Sequence, residues 1–233
     1  MRGSGLELHD ELKERFGLDR GIVRSYRVSY GTSGVHEPRP EDLVTERLIE
    51  LGEETTTAVG TGRPWVIDVE RRGPDEELRM VERWSMFGYR SDSPRAQRTP
   101  TEARDRNVEG RPIDAFHVSA EFVRSSATAH GVQVAVHHDI DAARAAGARD
   151  IFLDTATQVA LFGDRAAARP GGSGVLRSIE LRMRAPICAG DTVEFLDDGL
   201  TEVADPTGEH RELRMRAVVG GLTVSSAVVA FRP

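Results

Sequence analysis

Residues 151–162, with the sequence IFLDTATQVALF, decide the fold class of this chain. Wound as an α-helix extending to about residue 168, the segment carries apolar residues round most of its circumference, which is typical of a helix enclosed by a sheet. The chain then continues in alternating, β-rich runs separated by turn-forming segments, at 176–185, 191–196, 212–219 and 222–231. One buried helix followed by an antiparallel meander predicts an α+β domain whose sheet wraps around the helix.

A carboxylate and an amide interrupt the apolar surface of this predicted helix. Asp154 and Gln158 lie one turn apart on the same face. Because burial favours the protonated form of an unpaired carboxylate, Asp154 is a candidate general acid, and Gln158 could hold its carboxyl group in position. The alternative interpretation is that Asp154 caps or braces a neighbouring backbone segment.

Composition divides the chain into three parts. Residues 91–114 are rich in Pro, Arg and acidic residues, so we predict a linker there. On either side, residues 20–92 and 115–233 show a similar order of a β-like run, a helix and further β-like runs. In the first half we predict strands at 22–30, 64–71 and 77–89 and a helix at 41–59. In the second half we predict strands at 116–123 and 132–136, followed by a small helix at about 139–146 and the long helix. The first copy is short of strands and would be a trimmed repeat.

Charge and composition exclude several classes of function. The net charge of −7 is spread along 233 residues, and no Lys/Arg run is interleaved with aromatic residues, so we expect no nucleic-acid partner. No run of about 18 apolar residues occurs, and the N-terminal segment is helix-like with mixed charge, so we expect a cytoplasmic protein without a membrane anchor. The single cysteine, Cys188, excludes an intramolecular disulfide, and we expect an inert, partly buried thiol.

Three motifs in the second half resemble those of known acyl-thioester enzymes. FLDTATQ at 152–158 resembles the Asp-x-x-x-Gln/His helix motif of polyketide synthase dehydratase domains. SIELRMRAPICAGDTVEF at 178–195 resembles the strand-turn-strand of hot-dog dehydratases and thioesterases. HHDIDAARAAG at 137–147 is similar to a stretch of the enoyl-CoA hydratase branch, and this similarity places the catalytic histidine of the branch at His137. The aspartate that the branch carries five residues before its histidine is Val132 here.

The first half resembles these proteins less closely. His36 lies in VHEPRPEDLVTERLIELG, a loop leading into the predicted helix, where double hot-dog dehydratases keep a histidine. The His-x-x-x-Gly-x-x-x-x-Pro pattern of that family is absent. The same region and WSMFGYRSDS at 84–93 loosely resemble the leinamycin-type acyltransferase/decarboxylases, in which Tyr30 would be the residue of interest.

The resemblance implies an α+β double hot-dog that acts on an acyl thioester of coenzyme A or acyl carrier protein, in polyketide or fatty-acid-like biosynthesis. Dehydration of a β-hydroxyacyl thioester is the predicted reaction. Asp154 is the predicted acid, His36 is the favoured base and His137 is the second candidate for the base. Thioester hydrolysis, or acyl transfer with decarboxylation, is the alternative among enzymes, and a non-catalytic acyl-binding module is the alternative outside them. A histidine ring within about 6 Å of Asp154 would favour catalysis, since an acid and a base must flank one substrate.

We expect no cofactor and no metal for this chemistry. The cluster His137, His138, Asp139 and Asp141 contains metal-ligating side chains. However, adjacent residues of a predicted strand point to opposite faces, and Asp139 has the residue type and place of a helix N-cap. The sequence leaves open whether the protein is a homodimer, because an internal repeat could replace the pairing that a single hot-dog domain needs.

Overall fold

The computed structural model describes residues 6–31, 39, 41–92, 110–169, 174–205 and 208–232. Within these ranges the chain forms four α-helices, a short 3-10 helix and ten strands, and it divides into two compact units. Unit 1 comprises the described residues of 1–101 together with Leu176–Glu180, and unit 2 comprises those of 102–175 and 181–233. The predicted α+β class is confirmed.

Unit 1 is an antiparallel sheet with one short helix. The helix α1 (Glu7–Arg15) precedes the strands β1 (Arg20–Tyr30), β2 (Leu43–Leu51), β3 (Thr55–Thr56), β4 (Thr61–Arg72) and β5 (Leu78–Tyr89). The strands are ordered β2-β4-β5-β1, and β3 pairs with β4. Helix α1 begins where the carboxylate of Glu46 accepts hydrogen bonds from the backbone N–H groups of Glu7 and Leu8, which have no partner within the helix.

The core of unit 1 lies between α1 and one face of the sheet. It is an apolar cluster of Leu12, Leu18, Trp65, Ile67, Val69 and Met86. The indole of Trp65 lies directly against the backbone of Gly88, where an added Cβ would come within 2.1 Å of Trp65 Cη2. The large ring therefore fits only because position 88 has no side chain.

The helix predicted at 41–59 is wrong, because the chain forms β2 and β3 there. A register shift between Leu48 and Glu50 inserts Ile49 as an extra residue in β2. Such a bulge breaks the alternation of two by which a strand is recognised in a sequence, and the apolar positions then mimic a helical spacing. The strands predicted at 22–30, 64–71 and 77–89 and the helix-like N-terminal segment are confirmed.

Unit 2 contains the long helix and most of the meander that the sequence predicts. Its elements are β6 (Arg111–His117), α2 (Ala120–Ala129), the 3-10 helix Ala135–His137, α3 (Ile140–Ala145), α4 (Thr155–Ala167), β8 (Thr192–Asp205), β9 (Gly208–Val219) and β10 (Leu222–Arg232), together with the ends of β7 (Val175–Met183), whose residues Leu176–Glu180 belong to unit 1. Strands β8, β9 and β10 form a meander as predicted, and β6 pairs with β8, but β7 is not a neighbour of β8, so the predicted four-strand meander is wrong at its first strand. Helix α4 packs on this sheet, where Phe162 meets Phe195 edge to face at 5.3 Å between ring centres. The helix predicted at about 151–168 is confirmed as α4, but it begins four residues later, at Thr155, and it is buried on one face rather than all round.

Two strands predicted in unit 2 are wrong. The strand at 116–123 ends at His117, and α2 follows because the Ser119 hydroxyl accepts the N–H of Phe122 and caps the helix. The strand at 132–136 is a turn leading into the 3-10 helix. Strand β6 begins inside the stretch predicted as a linker, and residues 93–109 lie outside the described ranges. The repeat boundaries 20–92, 91–114 and 115–233 stay a prediction.

No helix of the described residues is long and apolar enough to cross a bilayer.

Candidate active site

Helix α4 begins at a cap made by Asp154. One carboxylate oxygen accepts the backbone N–H of Thr157 at 2.9 Å, and the other accepts the Thr157 hydroxyl. Asp154 is only 3% exposed. Asp154 therefore caps α4, as the alternative interpretation expected, and its carboxylate accepts two protein donors, while its role as an acid stays a prediction.

His130, which the sequence analysis did not single out, lies beside this cap. It ends helix α2, and its Nδ1 is 3.2 Å from Thr157 Oγ1 and 3.5 Å from Asp154 Oδ1. Because the Thr157 hydroxyl donates its hydrogen to Asp154, Nδ1 of His130 supplies the hydrogen in its contact with Thr157. In a neutral ring the lone pair then lies on Nε2, and 33% of the side chain is exposed.

His137 is the second histidine near the start of α4. The 3-10 helix ends with it, and its ring is buried edge to face against Phe152. Nδ1 is 2.7 Å from the carbonyl oxygen of Phe152. Since a carbonyl oxygen can only accept, Nδ1 carries the hydrogen and Nε2 keeps the lone pair.

The surroundings of His137 keep its ring neutral. Burial lowers the pKa of His137, and the hydrogen bond to the Phe152 carbonyl and the negative charge of Asp154 offset only part of that effect. A neutral imidazole with its lone pair on Nε2 is equipped to act as a base.

Residues 151–154, which include Phe152 beside His137 and Asp154 beside His130, are held in place by the turn after β7. Leu153 N donates to Ile187 O at 2.9 Å, Ala189 N donates to Ile151 O at 2.8 Å, and Phe152 forms a β-bridge with Cys188. Burial raises the pKa of the Cys188 thiol, in line with the inert thiol expected from the sequence.

Asp191 completes this bracing. Its carboxylate accepts the backbone N–H of Cys188 at 2.7 Å and pairs with Arg149. The residues that the sequence places in a strand-turn-strand motif therefore support the start of α4.

The other predicted site residues are Gln158, His36 and Tyr30. Gln158 is buried in α4, and its Oε1 has no hydrogen-bond partner among the described residues, so its role stays a prediction. His36 lies outside the described residues, and its role also stays a prediction. Tyr30 ends β1 in unit 1, where burial raises its pKa.

The cluster with metal-ligating side chains has other partners. Asp139 caps α3, as predicted, by accepting the N–H groups of Asp141 and Ala142. His138 Nε2 is 2.8 Å from the carbonyl oxygen of Val132. No set of three or more His, Cys, Asp and Glu side chains in the described ranges is arranged to hold a metal ion.

Comparison with known proteins places the chain in a family. No family model matches the chain. Over 88 residues it is 38% identical to the 3-oxo-4,17-pregnadiene-20-carboxyl-CoA hydratase beta subunit of Mycobacterium tuberculosis, an alignment that covers 35% of this chain and 68% of that subunit. Two solved structures are similar to most of the chain. A MaoC-like dehydratase matches with a TM-score of 0.64 and 16% identity, and the match covers 92% of this chain and 76% of that one. A MaoC-like dehydratase from Phytophthora capsici matches with a TM-score of 0.60 and 15% identity, and the match covers 91% of this chain and 69% of that one.

The chain belongs to the hot-dog family of hydratases and dehydratases that includes this subunit. The predicted fold, an α+β double hot-dog, is confirmed by the structural similarity. The predicted enzyme class, a hydro-lyase, is confirmed by the family.

Proposed function

We propose that this protein adds water to an enoyl thioester, and removes it from the β-hydroxyacyl thioester, of coenzyme A. The observation that supports the proposal is the placement of His137, whose Nδ1 is fixed by the Phe152 carbonyl and whose Nε2 is left as the basic atom. Coenzyme A is favoured over acyl carrier protein because the related subunit from Mycobacterium tuberculosis is a hydratase of a CoA ester.

In the dehydration direction, His137 Nε2 takes the proton from the carbon next to the thioester carbonyl. The electron pair of that C–H bond forms the double bond, the C–O bond of the β-hydroxyl breaks, and the hydroxyl leaves with one proton as water. Negative charge develops on the thioester oxygen during this step, and the N-terminal turn of α4, directly after the Phe152 contact, presents the positive end of the helix dipole. Hydration is the reverse sequence.

The role of Asp154 as the acid, expected from the sequence, stays a prediction. Its carboxylate is buried and accepts both the N–H and the hydroxyl of Thr157, so both of its oxygens have a protein partner at the head of α4. We propose that Asp154 positions the neighbouring groups, and the Asp154→Asn variant in the Discussion separates this role from that of a proton donor.

The test is turnover of a panel of 2-enoyl and 3-hydroxyacyl thioesters, each on coenzyme A and on carrier protein, followed by mass spectrometry. A gain or loss of 18 mass units is expected, larger on coenzyme A. His137→Gln should lower kcat by about 10²–10⁴-fold, the usual contribution of a general base. His138→Gln is the matched control, because the adjacent ring is tied through Nε2 to the Val132 carbonyl, and its kcat should stay near that of the wild type.

Other outcomes would overturn the proposal in distinct ways. Release of the free acid would make the protein a thioesterase, loss of carbon dioxide would make it a decarboxylase, and binding without turnover would make it an acyl-binding module. Equal activity of His137→Gln and the wild type would remove His137 from the mechanism. Light scattering of the purified protein tests the homodimer, and the place of the enzyme in polyketide or fatty-acid-like biosynthesis stays a prediction.

A further inference from the structure

Removing water from a β-hydroxyacyl thioester requires two proton transfers, one from carbon and one to the departing hydroxyl. His137 Nε2 suits the first transfer. The second requires a group that carries a proton on an atom that a substrate can reach. Asp154 is 3% exposed and accepts two donors from Thr157, so its carboxylate does not offer such an atom.

We propose that His130 is a second acid–base residue of this site, with Thr157 and Asp154 as the residues that position it. This inference rests on the proposed hydro-lyase function and adds a catalytic residue to it. Nothing in the sequence motifs assigns a role to His130.

The hydrogen bonds fix which nitrogen of His130 does the chemistry. Asp154 accepts the Thr157 hydroxyl hydrogen, Thr157 Oγ1 accepts from His130 Nδ1 at 3.2 Å, and Nε2 is left to exchange a proton with the substrate. The ring is one-third exposed, so Nε2 belongs to a side chain that substrate and solvent can reach.

The charges around His130 suit a proton donor. A protonated ring is positive, and its Nδ1 lies 3.5 Å from an oxygen of the buried Asp154 carboxylate. His137, in contrast, is a buried ring held neutral. Both imidazoles contact residues at the head of α4, His137 at Phe152 and His130 at Thr157, which is the placement that an acid and a base require.

The proton balance closes with these two groups. His137 Nε2 takes the α-proton, the C–O bond breaks, and the departing oxygen takes the proton from His130 Nε2 and leaves as water. His130 regains a proton from solvent, and His137 returns its proton to solvent. No oxidant, metal or further reactant is required.

The leaving group of the substrate provides a sharp test. A 3-hydroxyacyl-CoA needs an acid to protonate its hydroxyl, whereas a 3-fluoroacyl-CoA can expel fluoride without one. We expect His130→Gln to lower kcat for the hydroxy substrate by about 10²-fold or more, with KM changed by less than about threefold and fluoride elimination largely retained. His137→Gln should lose both reactions, because both need the α-proton removed.

Variants of Thr157 keep the inference testable if His130→Gln folds poorly. Thr157→Val has a similar shape but no hydroxyl, so it breaks the connection between His130 and Asp154 and should lower turnover of the hydroxy substrate more than fluoride elimination. Thr157→Ser restores the hydroxyl and should restore most of the turnover. Imidazole added to His130→Gly should raise its turnover at least several-fold, an effect that a purely structural role would not produce.

The outcomes separate this inference from the function on which it rests. A wild-type protein inactive on both substrates overturns the proposed function and the role of His130 together. An active wild type with an unimpaired His130→Gln overturns only the role of His130. Equal loss of both reactions in His130→Gln, without rescue of His130→Gly by imidazole, makes His130 structural and also overturns the inference.

Discussion

The two units each bury a histidine to the same extent, and only one of the two histidines has its ring oriented by a hydrogen bond. His9 of unit 1 and His137 of unit 2 are both 9% exposed, and burial lowers the pKa of each. His9 lies against Trp65, with 5.4 Å between ring centres, and its Nδ1 has no hydrogen-bond partner among the described residues. His137 is fixed by the Phe152 carbonyl at the head of α4. Burial alone therefore does not single out a candidate site, and the proposal for His137 depends on the hydrogen bond that orients its ring.

The largest effect that separates the two units is expected on acidification. Burial lowers the pKa of His9 to about 4, against 6.5 for an ordinary histidine, with Lys13 contributing to the shift. The unfolded chain binds the proton first as the pH falls, so the contribution to stability is complete above pH 6.5 and is lost progressively towards pH 4, by about 3 kcal/mol.

Tryptophan fluorescence measures this loss in unit 1, because both tryptophans of the chain, Trp65 and Trp84, belong to that unit. Urea unfolding followed at pH 7 and pH 4.5 should show a smaller decrease for His9→Gln than for the wild type. An identical decrease in the two proteins would mean that His9 is not the group responsible.

Gly88→Ala should destabilise unit 1 and leave the chemistry of unit 2 intact. The added Cβ would lie 2.1 Å from Trp65 Cη2 and 3.0 Å from Leu18 Cδ1, and forcing an extra methyl group into a packed core costs about 1–3 kcal/mol. The midpoint of unfolding, followed by tryptophan fluorescence, is the measurement. An unchanged midpoint would show that the indole can move away from the strand.

Asp154→Ala should destabilise unit 2 by about 0.5–2 kcal/mol, the usual cost of removing a helix N-cap. Asp154→Asn is the matched variant, since asparagine also caps helices well, and its thermal unfolding by circular dichroism should resemble that of the wild type. Turnover then separates two roles. Loss of both dehydration and fluoride elimination in Asp154→Asn would contradict a role limited to positioning His130.

The smallest effect is expected from Lys13→Gln in α1. The ion pair of Lys13 with Asp10 is 2.8 Å long but largely exposed at the aspartate, and such pairs contribute about 0.2–1 kcal/mol. Because Lys13 also lowers the pKa of His9, its removal should raise that pKa and weaken the acid sensitivity of unit 1. Unfolding midpoints across pH 4–7 test this, and an acid sensitivity stronger than that of the wild type would contradict it.

The sequence predicts much of the fold because the deciding elements have regular patterns. Helix α4 follows an apolar stretch and buries one face, and the strands that follow it show alternating apolar residues between turn-forming segments, so local periodicity is sufficient to find them. Strand β2 escapes prediction because its bulge at Ile49 disturbs the period. Helix α2 escapes because its apolar residues also fit a strand, and the Ser119 cap that distinguishes the two is a single residue.

The site is less predictable because it depends on contacts between distant residues. His137 and Asp154 can be found from motifs, but His130 meets Thr157 across 27 positions of the chain. Gly131, with a φ of +71°, marks the end of α2 and could have placed His130 at a helix terminus. No local pattern states which side chain that terminus approaches.

The buried thiol of Cys188 is a reporter of local opening in the molecule. Its sulphur is the only thiol of the chain, and the residue pairs with Phe152 in the bridge that carries the His137 contact. Because Cys188 is buried, a thiol-reactive dye in excess can modify it only when the structure around it opens, so the labelling rate measures openings of the segment that contacts His137 under native conditions. Bound thioester should lower the labelling rate of Cys188 without changing the tryptophan fluorescence of unit 1.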